Sequence, residues 1–318
     1  MKDNFSEIVG QSHSKKRLQF YIDGFTRSNV FPHTMVVAPK GVGKTHLVRE
    51  VGKILKGISA EGGGKKCFIE INSSTLKSVK QFIEQIVMNY VHNQDCTLFF
   101  DEVHELNPKM VAALLSILNP TKENRTEFRF GDMVFEFNFA RVSFFAATTE
   151  RQKVFQPLLD RFAEIHLDEY TVEEVAEIMK RNVQNPYSAE PDALLEMAKY
   201  CRGNARSAAM IGGNQGVSNY CSSRNVKTFK VADVKKLVEI LDLFPLGFSR
   251  MEVDMLRAIS KARATSLTAL AAKSGLSKPA QQDIEKCFLR YGFIEIEAGH
   301  GRSITAKGQE YLKAVEAR

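Results

Sequence analysis

The chain has 318 residues and a formal net charge of +7, with 44% hydrophobic and 25% charged residues. This composition excludes a disordered or collagen-like protein, and the length predicts two or three domains that each bury a core. The sequence has no run of 18 apolar residues and no apolar N-terminal segment, so we expect a cytoplasmic chain without a membrane span or secretion signal.

The first half of the chain alternates short apolar runs with helical periodicity, which is typical of a parallel sheet covered by helices. A strongly alternating segment around Gly131 and Asp132 predicts a β-hairpin over residues 128–139, rich in Phe. One face of this hairpin belongs to the core, and the other is either core as well or a protein-interaction surface. The predicted strands are 34–38, 67–72, 97–101 and 142–148, and the predicted helices are 45–55, 79–91 and 110–118.

After residue 170 the pattern becomes helical. Thr171 and Glu174 form a capping box that predicts a helix ending at residue 182. Residues 212–225 are rich in Gly, Ser and Asn and predict a partly irregular segment, and residues 244–247 predict a linker. Further helices are predicted at 191–201, 205–211 and 231–241.

The last segment predicts a winged helix, because two strands follow a helix-turn-helix pattern. Its predicted helices are 250–261, 267–274 and 278–291, with a turn at Gly275, and its predicted strands are 293–297 and 302–305. The expected architecture is therefore an α/β ATPase-type domain with a parallel sheet (1–168), a helical lid (169–243) and a winged-helix DNA-binding domain (244–318).

Residues 38–45, Ala-Pro-Lys-Gly-Val-Gly-Lys-Thr, lie between a predicted strand and a predicted helix, as a phosphate-binding loop requires. The small residues let backbone N–H groups approach phosphates, and the helix N-terminus adds the positive end of a dipole. Lys44 is expected to reach the β- and γ-phosphates, and Thr45 to place its hydroxyl on Mg²⁺. Ala38 stands where the usual pattern has its first Gly.

An apolar strand ending in Asp101 and Glu102 follows about 55 residues later. Asp101 is expected to complete the Mg²⁺ shell through water, and Glu102 to polarise the water that attacks ATP. Together with the loop, this pair predicts an ATP-hydrolysing site.

Two arginines, Arg161 and Arg206, are either ordinary surface residues or have roles in a ring ATPase. In such a ring, one arginine reaches into the site of the neighbouring subunit and another senses the γ-phosphate.

The order of these motifs resembles the AAA+ ATPases and, more narrowly, the RuvB family of Holliday-junction branch-migration motors. The resemblance extends from residue 5 to about residue 315. The segments that carry it are Ile-Val-Gly-Gln at 8–11, the phosphate loop, Asp-Glu-Val-His-Glu-Leu-Asn at 101–107, Ala-Thr-Thr at 147–149, residues 157–162, residues 202–206, and Gly-Arg at 301–302.

The resemblance also implies residue roles. Thr149 looks like the polar residue at a strand end that positions water, Arg161 like the trans-acting arginine finger, and Arg302 like a contact to the DNA backbone. The lid residue Arg206 looks like the second sensor. The nucleotide-binding residues are then Ile8, Val9, Gly41, Val42, Gly43, Lys44, Thr45, His46, Tyr170 and Arg206, with Thr45 and Asp101 for Mg²⁺.

Several positions depart from the family's pattern. Leu159 and Glu105 stand where the family usually has Arg, and Lys40 stands where it has Pro. Glu297 occupies the place of a second arginine in the wing, so we expect a weaker or differently arranged grip on DNA phosphates. The hairpin is expected to be shorter at its tip than the one that engages the junction-binding partner RuvA.

The function expected from the resemblance is an ATP-dependent motor, a hexameric ring on duplex DNA that drives branch migration in recombination and repair. A RuvA-like partner is a further expectation. A clamp-loader or replication-initiator type of AAA+ switch is the alternative. The predicted winged helix argues against a loader, but it does not distinguish a RuvB-like motor from an initiator, because initiators also carry winged helices. A non-enzymatic DNA-binding regulator is disfavoured because all the ATPase residues are present, unless position 38 requires a positive φ.

Overall fold

The computed structural model describes residues 4–28, 30–57, 66–91, 94–118, 125–130, 133–261, 277–297 and 301–316. The chain divides into two compact units. The first comprises Met1–Glu174 with Gly203–Arg206, and the second comprises Val175–Arg202 with Ser207–Arg318. Within the described ranges, no helix is long and apolar enough to span a bilayer. The division into three domains stays a prediction.

The first unit is built on a five-stranded parallel sheet, which confirms the predicted α/β class. Its strands are β1 (Thr34–Val37), β2 (Cys67–Asn72), β3 (Cys96–Asp101), β6 (Val142–Thr148) and β7 (Ala163–His166), in the spatial order β2-β3-β6-β1-β7. The four predicted strands are confirmed, and β7, which pairs with β1, is an addition. β6 is buried along its whole length, so the centre of the sheet is also the centre of the core.

Helices cover this sheet on both faces. They are α1 (Ser12–Ser28), α2 (Lys44–Gly57), α3 (Val79–Phe82, continued by a π-helical stretch over Ile83–Val91), α4 (Pro108–Ile117) and α5 (Gln156–Leu159). In α4, Pro108 occupies the first turn and the side chain of Asn107 accepts from the backbone N–H of Met110 (3.0 Å). Such a cap satisfies an otherwise unpaired donor and fixes where the helix begins.

The predicted hairpin is present as β4 (Arg125–Phe130) and β5 (Met133–Asn138). Phe128, Phe137 and Phe139 are buried, and Phe135 packs against the same core cluster. The interpretation of these rings as core residues is therefore confirmed. The tip at 131–132 and the side chain of Phe130 lie outside the described part of the hairpin.

The second unit begins with a helical layer. Its helices are α6 (Val172–Asn182), α7 (Pro191–Ala198), α8 (Ala205–Gly212), α9 (Val217–Arg224) and α10 (Val231–Ile240), with the short parallel pair β8 (Ser188–Ala189) and β9 (Thr228–Phe229). The first residues of α6 and α8 belong to the first unit. The predicted capping box is confirmed, since Thr171 and Glu174 exchange hydrogen bonds between side chain and backbone (3.2 and 2.9 Å).

The prediction of a partly irregular segment at 212–225 is confirmed, because residues 213–216 form turns, whereas the remainder is the helix α9 (Val217–Arg224). Val217 and Cys221 are fully buried, so tertiary packing outweighs the low helix propensity of the Ser- and Asn-rich sequence. The helix ends at Asn225 in the left-handed conformation (φ 55°), which Asn tolerates better than most residues.

The C-terminal part of the second unit has the predicted winged-helix elements. They are β10 (Leu243–Phe244), β11 (Phe248–Ser249), α11 (Arg250–Lys261), α12 (Lys278–Tyr291), the antiparallel wing strands β12 (Ile294–Glu297) and β13 (Gly301–Ile304), and α13 (Ala306–Glu316). Phe248 lies at the centre of its core, with the rings of Phe288, Phe293 and Tyr311 within 5.8 Å. The predicted helix 267–274 and the turn at Gly275 lie outside the described residues.

Candidate nucleotide site

The loop between β1 and α2 has the backbone conformation of a phosphate cradle. Gly41 and Gly43 have φ values of 85° and 100°, a region that L-residues with side chains rarely adopt. A Cβ on Gly41 would come within 2.4 Å of the side chain of Asn204. Ala38 does not belong to the residues of positive φ in the described chain, so the missing first Gly causes no backbone strain. The condition that would have revived the regulator hypothesis is not met.

Lys44, at the C-terminal end of this loop, is buried, with 6% of its surface exposed. Its Nζ donates to the carbonyl oxygens of Ala38 (3.1 Å) and Pro39 (3.3 Å). Burial lowers the pKa of Lys44, and the carboxylates of Glu102 and Asp101 oppose that shift. A buried ammonium whose described hydrogen bonds go to neutral carbonyls is suited to exchange them for anionic phosphate oxygens.

Two oxygen ligands of the kind that Mg²⁺ prefers lie beside the lysine. The hydroxyl of Thr45 donates to Oδ2 of Asp101 (3.0 Å), and Oδ1 of Asp101 accepts from the backbone N–H of Glu102 (3.0 Å). Asp101 ends β3 and Thr45 lies in the first turn of α2, so strand and helix bring together residues that are 56 positions apart. A hydroxyl and a carboxylate at a phosphate loop fit a magnesium ion bound with its nucleotide.

Glu102 and Thr149, the expected water-polarising carboxylate and the residue that the resemblance implies as a sensor, are in direct contact. Oε2 of Glu102 accepts from the backbone N–H of Thr149 (3.2 Å) and from its hydroxyl (3.1 Å). Glu102 itself has a left-handed backbone (φ 50°). Because β3 and β6 are parallel neighbours, their carboxyl ends place these two residues at the same edge of the sheet.

His104 is a site residue that the sequence analysis missed. Its side chain is 5% exposed, and its Nδ1 lies 2.9 Å from the hydroxyl of Thr148 and 3.4 Å from Oε2 of Glu102. Its Nε2 lies between the carboxylates of Glu105 (3.3 Å) and Glu150 (3.4 Å). The ring therefore lies among three carboxylates, one of which is Glu102. The available signal was its place two residues after the Asp-Glu pair.

The segment Gly203–Arg206 belongs to the same unit and closes over the loop. The backbone N–H of Arg206 donates to the carbonyl of Gly41 (3.0 Å), and the side chain of Asn204 donates to the carbonyl of Lys40 (2.9 Å). The Arg206 side chain is exposed, and its charge contributes to lowering the pKa of Lys44. Asn204 is a second contact that the sequence analysis did not single out.

Apolar and polar residues complete the wall of the site. Ile8, Val42 and Tyr170 belong to one core cluster, and the backbone N–H of Tyr170 donates to the carbonyl of Gly203 (3.2 Å). Burial raises the pKa of the Tyr170 hydroxyl, which also forms a hydrogen bond with Gln11. Val9 is half-buried, and His46 is exposed on the first turn of α2.

Arg161 is not brought to the nucleotide site of its own chain by any hydrogen bond described here. Its guanidinium donates to the carbonyl of Pro157 (2.7 Å), while its Nε is buried and has no hydrogen-bond partner among the described residues. Leu159, at the position of the family's additional arginine, is 3% exposed and belongs to the core.

The predicted DNA contact Arg302 lies on the wing in the second unit. Its guanidinium is paired with Oε1 of Glu285 on α12 (3.0 Å), and the two side chains are 23% and 10% exposed. Nε of Arg302 and Oε2 of Glu285 are both buried and lack a hydrogen-bond partner within the ranges that the structure describes. In this conformation, the Arg302 guanidinium is engaged by a carboxylate of its own chain.

Comparisons with known proteins agree with this geometry. The model of the AAA family, "ATPase family associated with various cellular activities", matches residues 34–169, and that of the RuvB C-terminal winged helix domain matches residues 245–313.

Among curated proteins, the Holliday junction branch migration complex subunit RuvB of Campylobacter hominis is 27% identical over 97% of this chain and 88% of its own length. The subunit of the same name from Thermotoga maritima is 26% identical over 98% of this chain and 91% of its own length.

Solved structures show the same fold. The Thermotoga maritima RuvB Holliday junction branch migration motor superposes with a TM-score of 0.78 at 24% identity, covering 98% of this chain and 97% of that one. The Aeropyrum pernix ORC2 protein superposes with a TM-score of 0.59 at 13% identity, covering 99% and 96%.

Proposed function

This chain belongs to the RuvB family of AAA ATPases, and we propose that it is the ATP-driven motor that moves the branch point of Holliday junctions along duplex DNA. Relatives that are named Holliday junction branch migration complex subunit RuvB align with this chain over nearly their whole length. Duplex DNA is therefore the molecule that the proposed motor moves, and ATP hydrolysis supplies the free energy.

One observation carries the proposal: a phosphate loop with an adjoining Asp-Glu pair and a winged helix of the RuvB type occur in one chain. Lys44, Thr45, Asp101, Glu102 and Thr149 lie within hydrogen-bonding distance of one another or of the loop carbonyls. A protein that only binds DNA has no need for a carboxylate oriented in this way.

We propose the following division of roles. Lys44 exchanges its loop carbonyls for phosphate oxygens, and Glu102, oriented by Thr149 and His104, accepts a hydrogen bond from the attacking water. Thr45 and Asp101 hold Mg²⁺, which neutralises charge on the phosphates when it is bound. Arg206 faces the loop from the segment that begins the lid.

The assembly is also a proposal. The described hydrogen bond of the Arg161 guanidinium goes to the carbonyl of Pro157 and not to a residue of the nucleotide site, and we propose that Arg161 acts in the neighbouring subunit of a hexameric ring in the cytoplasm. The two antiparallel strands β4 and β5 are the proposed docking element for a RuvA-like junction-binding protein.

The test is a comparison of ATP hydrolysis with a labelled four-way junction assay on the purified protein. Stimulation of hydrolysis by duplex or junction DNA, together with ATP-dependent displacement of junction arms and loss of both in Glu102→Gln, supports the motor. Hydrolysis that DNA stimulates without any displacement, even with a RuvA protein present, would favour an initiator-type switch, with which the chain shares its fold. Absence of hydrolysis under all of these conditions would contradict the proposal.

A further inference from the structure

Arg202, in the second unit, is engaged by several groups at once. Its guanidinium makes a two-pronged ion pair with Glu252, with N–O distances of 2.8 and 2.7 Å. The same group donates to the backbone carbonyls of Leu246 (3.1 Å) and Gly247 (2.5 Å) and stands 4.1 Å above the ring of Phe248. Because nearly all N–H donors of this planar guanidinium are used, both the position and the orientation of the Arg202 side chain are fixed.

The partners of Arg202 are the first residues of the winged helix. Glu252 lies in the first turn of α11 and also accepts from the backbone N–H (2.7 Å) and the hydroxyl (2.9 Å) of Ser249. Burial alone would raise the pKa of Glu252, but its hydrogen bonds to Arg202 and Ser249 hold that pKa below its ordinary value. The pair is therefore charged on both sides at neutral pH.

The segment that sequence patterning predicts as a linker is closely packed at this point. Gly247 has a positive φ (73°), and a Cβ there would lie 2.1 Å from the carbonyl oxygen of Tyr200. Only a glycine allows the two backbones to approach so closely. The start of the winged helix is thus fastened to residues 200–202 by backbone packing and by the Arg202 guanidinium.

Arg202 also occupies a special place along the chain. The next residue, Gly203, begins the segment Gly203–Arg206 that belongs to the first unit and holds the carbonyls of Lys40 and Gly41 in the phosphate loop. Arg202 and Gly203 both have left-handed backbones, with φ values of 52° and 64°. Two successive residues of this kind are a fixed bend rather than a freely rotating link, and for a side chain as large as Arg the conformation is unfavourable.

We propose that Arg202 is the positioning residue through which the nucleotide state of the phosphate loop is transmitted to the winged helix. The segment Gly203–Arg206, which contacts the phosphate loop, is joined by one peptide bond to Arg202, which binds Glu252. A shift of this segment on ATP binding therefore displaces Arg202 and, through Glu252, the first turn of α11. This inference rests on the proposed function only for its purpose, because the mechanical link can be measured without DNA.

Hydrogen exchange of the full-length protein with ADP, with a slowly hydrolysed ATP analogue and without nucleotide tests the link directly. In the wild type, we expect exchange of peptides covering 244–261 to change with the nucleotide. In Arg202→Gln, that change is lost, while the change in peptides covering the phosphate loop remains. Persistence of the wild-type response in Arg202→Gln would overturn the inference, as would a wild type whose residues 244–261 do not respond to nucleotide.

Arg250→Gln is the matched control, because Arg250 makes an equally two-pronged pair with Asp242 (both 2.7 Å) at the same junction but does not touch residues 200–206 by any contact described here. It should keep the wild-type response, and loss of the response in this control would also count against Arg202. Glu252→Gln is the second variant, in case Arg202→Gln does not fold. It keeps the shape of the side chain and removes only the charge, and it should weaken the response.

The DNA-dependent readout separates this inference from the proposed function. If the wild type is a motor, Arg202→Gln should keep its basal ATP hydrolysis and lose the stimulation by duplex DNA, and Arg202→Lys should recover part of it. If DNA stimulates no form of the protein, the proposed function fails, whereas the exchange experiment still decides the role of Arg202.

Discussion

The hydroxyl and the backbone N–H of Thr149 both donate to the same oxygen of Glu102, at 3.1 and 3.2 Å. The backbone contact orients the carboxylate whatever the side chain is, and the hydroxyl adds a second constraint. These two hydrogen bonds orient the Glu102 carboxylate before any substrate arrives, and Nδ1 of His104 lies 3.4 Å from the same oxygen.

We expect Thr149→Val to lower kcat for ATP by about 10- to 100-fold and to leave nucleotide affinity within a factor of about two, since the hydroxyl contacts the carboxylate and not the loop. Steady-state hydrolysis and titration with a fluorescent nucleotide measure the two effects. Thr149→Ser keeps a hydroxyl and should retain most of the activity. A Thr149→Val enzyme with wild-type kcat would show that the backbone contact is sufficient.

Lys44→Ala should abolish ATP binding, with affinity reduced by about 100-fold or more, because the ammonium is the buried cation of the phosphate loop. Calorimetric titration at low ionic strength is the measurement. Lys40→Ala is the control: Lys40 is an exposed cation in the same loop and engages Asn204 through its backbone carbonyl, which the substitution keeps. Unchanged affinity in Lys44→Ala would contradict the assignment of the loop.

Arg161→Ala should bind ATP normally and lose about three orders of magnitude in hydrolysis, the usual contribution of an arginine finger. If the arginine acts on the neighbouring subunit, mixing Arg161→Ala with Glu102→Gln should restore some active interfaces. Arg151→Ala removes a nearby exposed arginine, paired with Glu164, and should be active. Full activity of Arg161→Ala would mean that the finger is another residue.

The parts of the site that could be predicted from sequence are those in which neighbouring residues determine the geometry. The phosphate loop follows from glycines between a strand and a helix. The meeting of Asp101 with Thr45 follows from the rule that parallel strands end at one edge of a sheet. The pairs that prediction missed join distant segments through side chains, as His104 with Thr148 and Asn204 with Lys40, and only the packed fold determines these.

The cysteines illustrate the same limit. The five cysteines lie far apart in the sequence, and Cys201 and Cys221 are buried. Cys67 and Cys96, however, are direct partners in the register of β2 and β3. A hydrogen bond from Cys96 is the main cause that lowers the pKa of the half-buried Cys67 thiol to about 7. Spacing along the chain carries no information on strand register, so this pair was not predicted.

Glu285→Gln should tighten binding to duplex DNA by about 2- to 10-fold and steepen its salt dependence, because removing the carboxylate charge frees Arg302 for a phosphate. Fluorescence anisotropy over a range of salt concentrations measures both quantities. Arg302→Gln should have the opposite effect and lower the salt slope by about one. If neither variant changes DNA affinity, Arg302 serves only to hold the wing against α12.

His33 provides a prediction on acid stability. Burial lowers the pKa of His33 to about 4 from an ordinary value of 6.5, and its ring packs against those of Phe144 and Phe162. The folded state therefore favours the neutral ring. The stability that this provides is complete above pH 6.5 and is lost as the pH falls from 6.5 towards 4, at up to about 1.4 kcal/mol per pH unit.

His33→Phe should remove this sensitivity without leaving a cavity, and Nδ1 of His33 has no hydrogen-bond partner in the described chain whose loss would cost stability. Urea unfolding of both proteins at pH 7 and pH 5 is the measurement. We expect the fall in unfolding free energy between these pH values to be smaller in His33→Phe by about 2 kcal/mol. Equal falls in the two proteins would show that His33 becomes protonated without unfolding the sheet, for example by the entry of water beside β1.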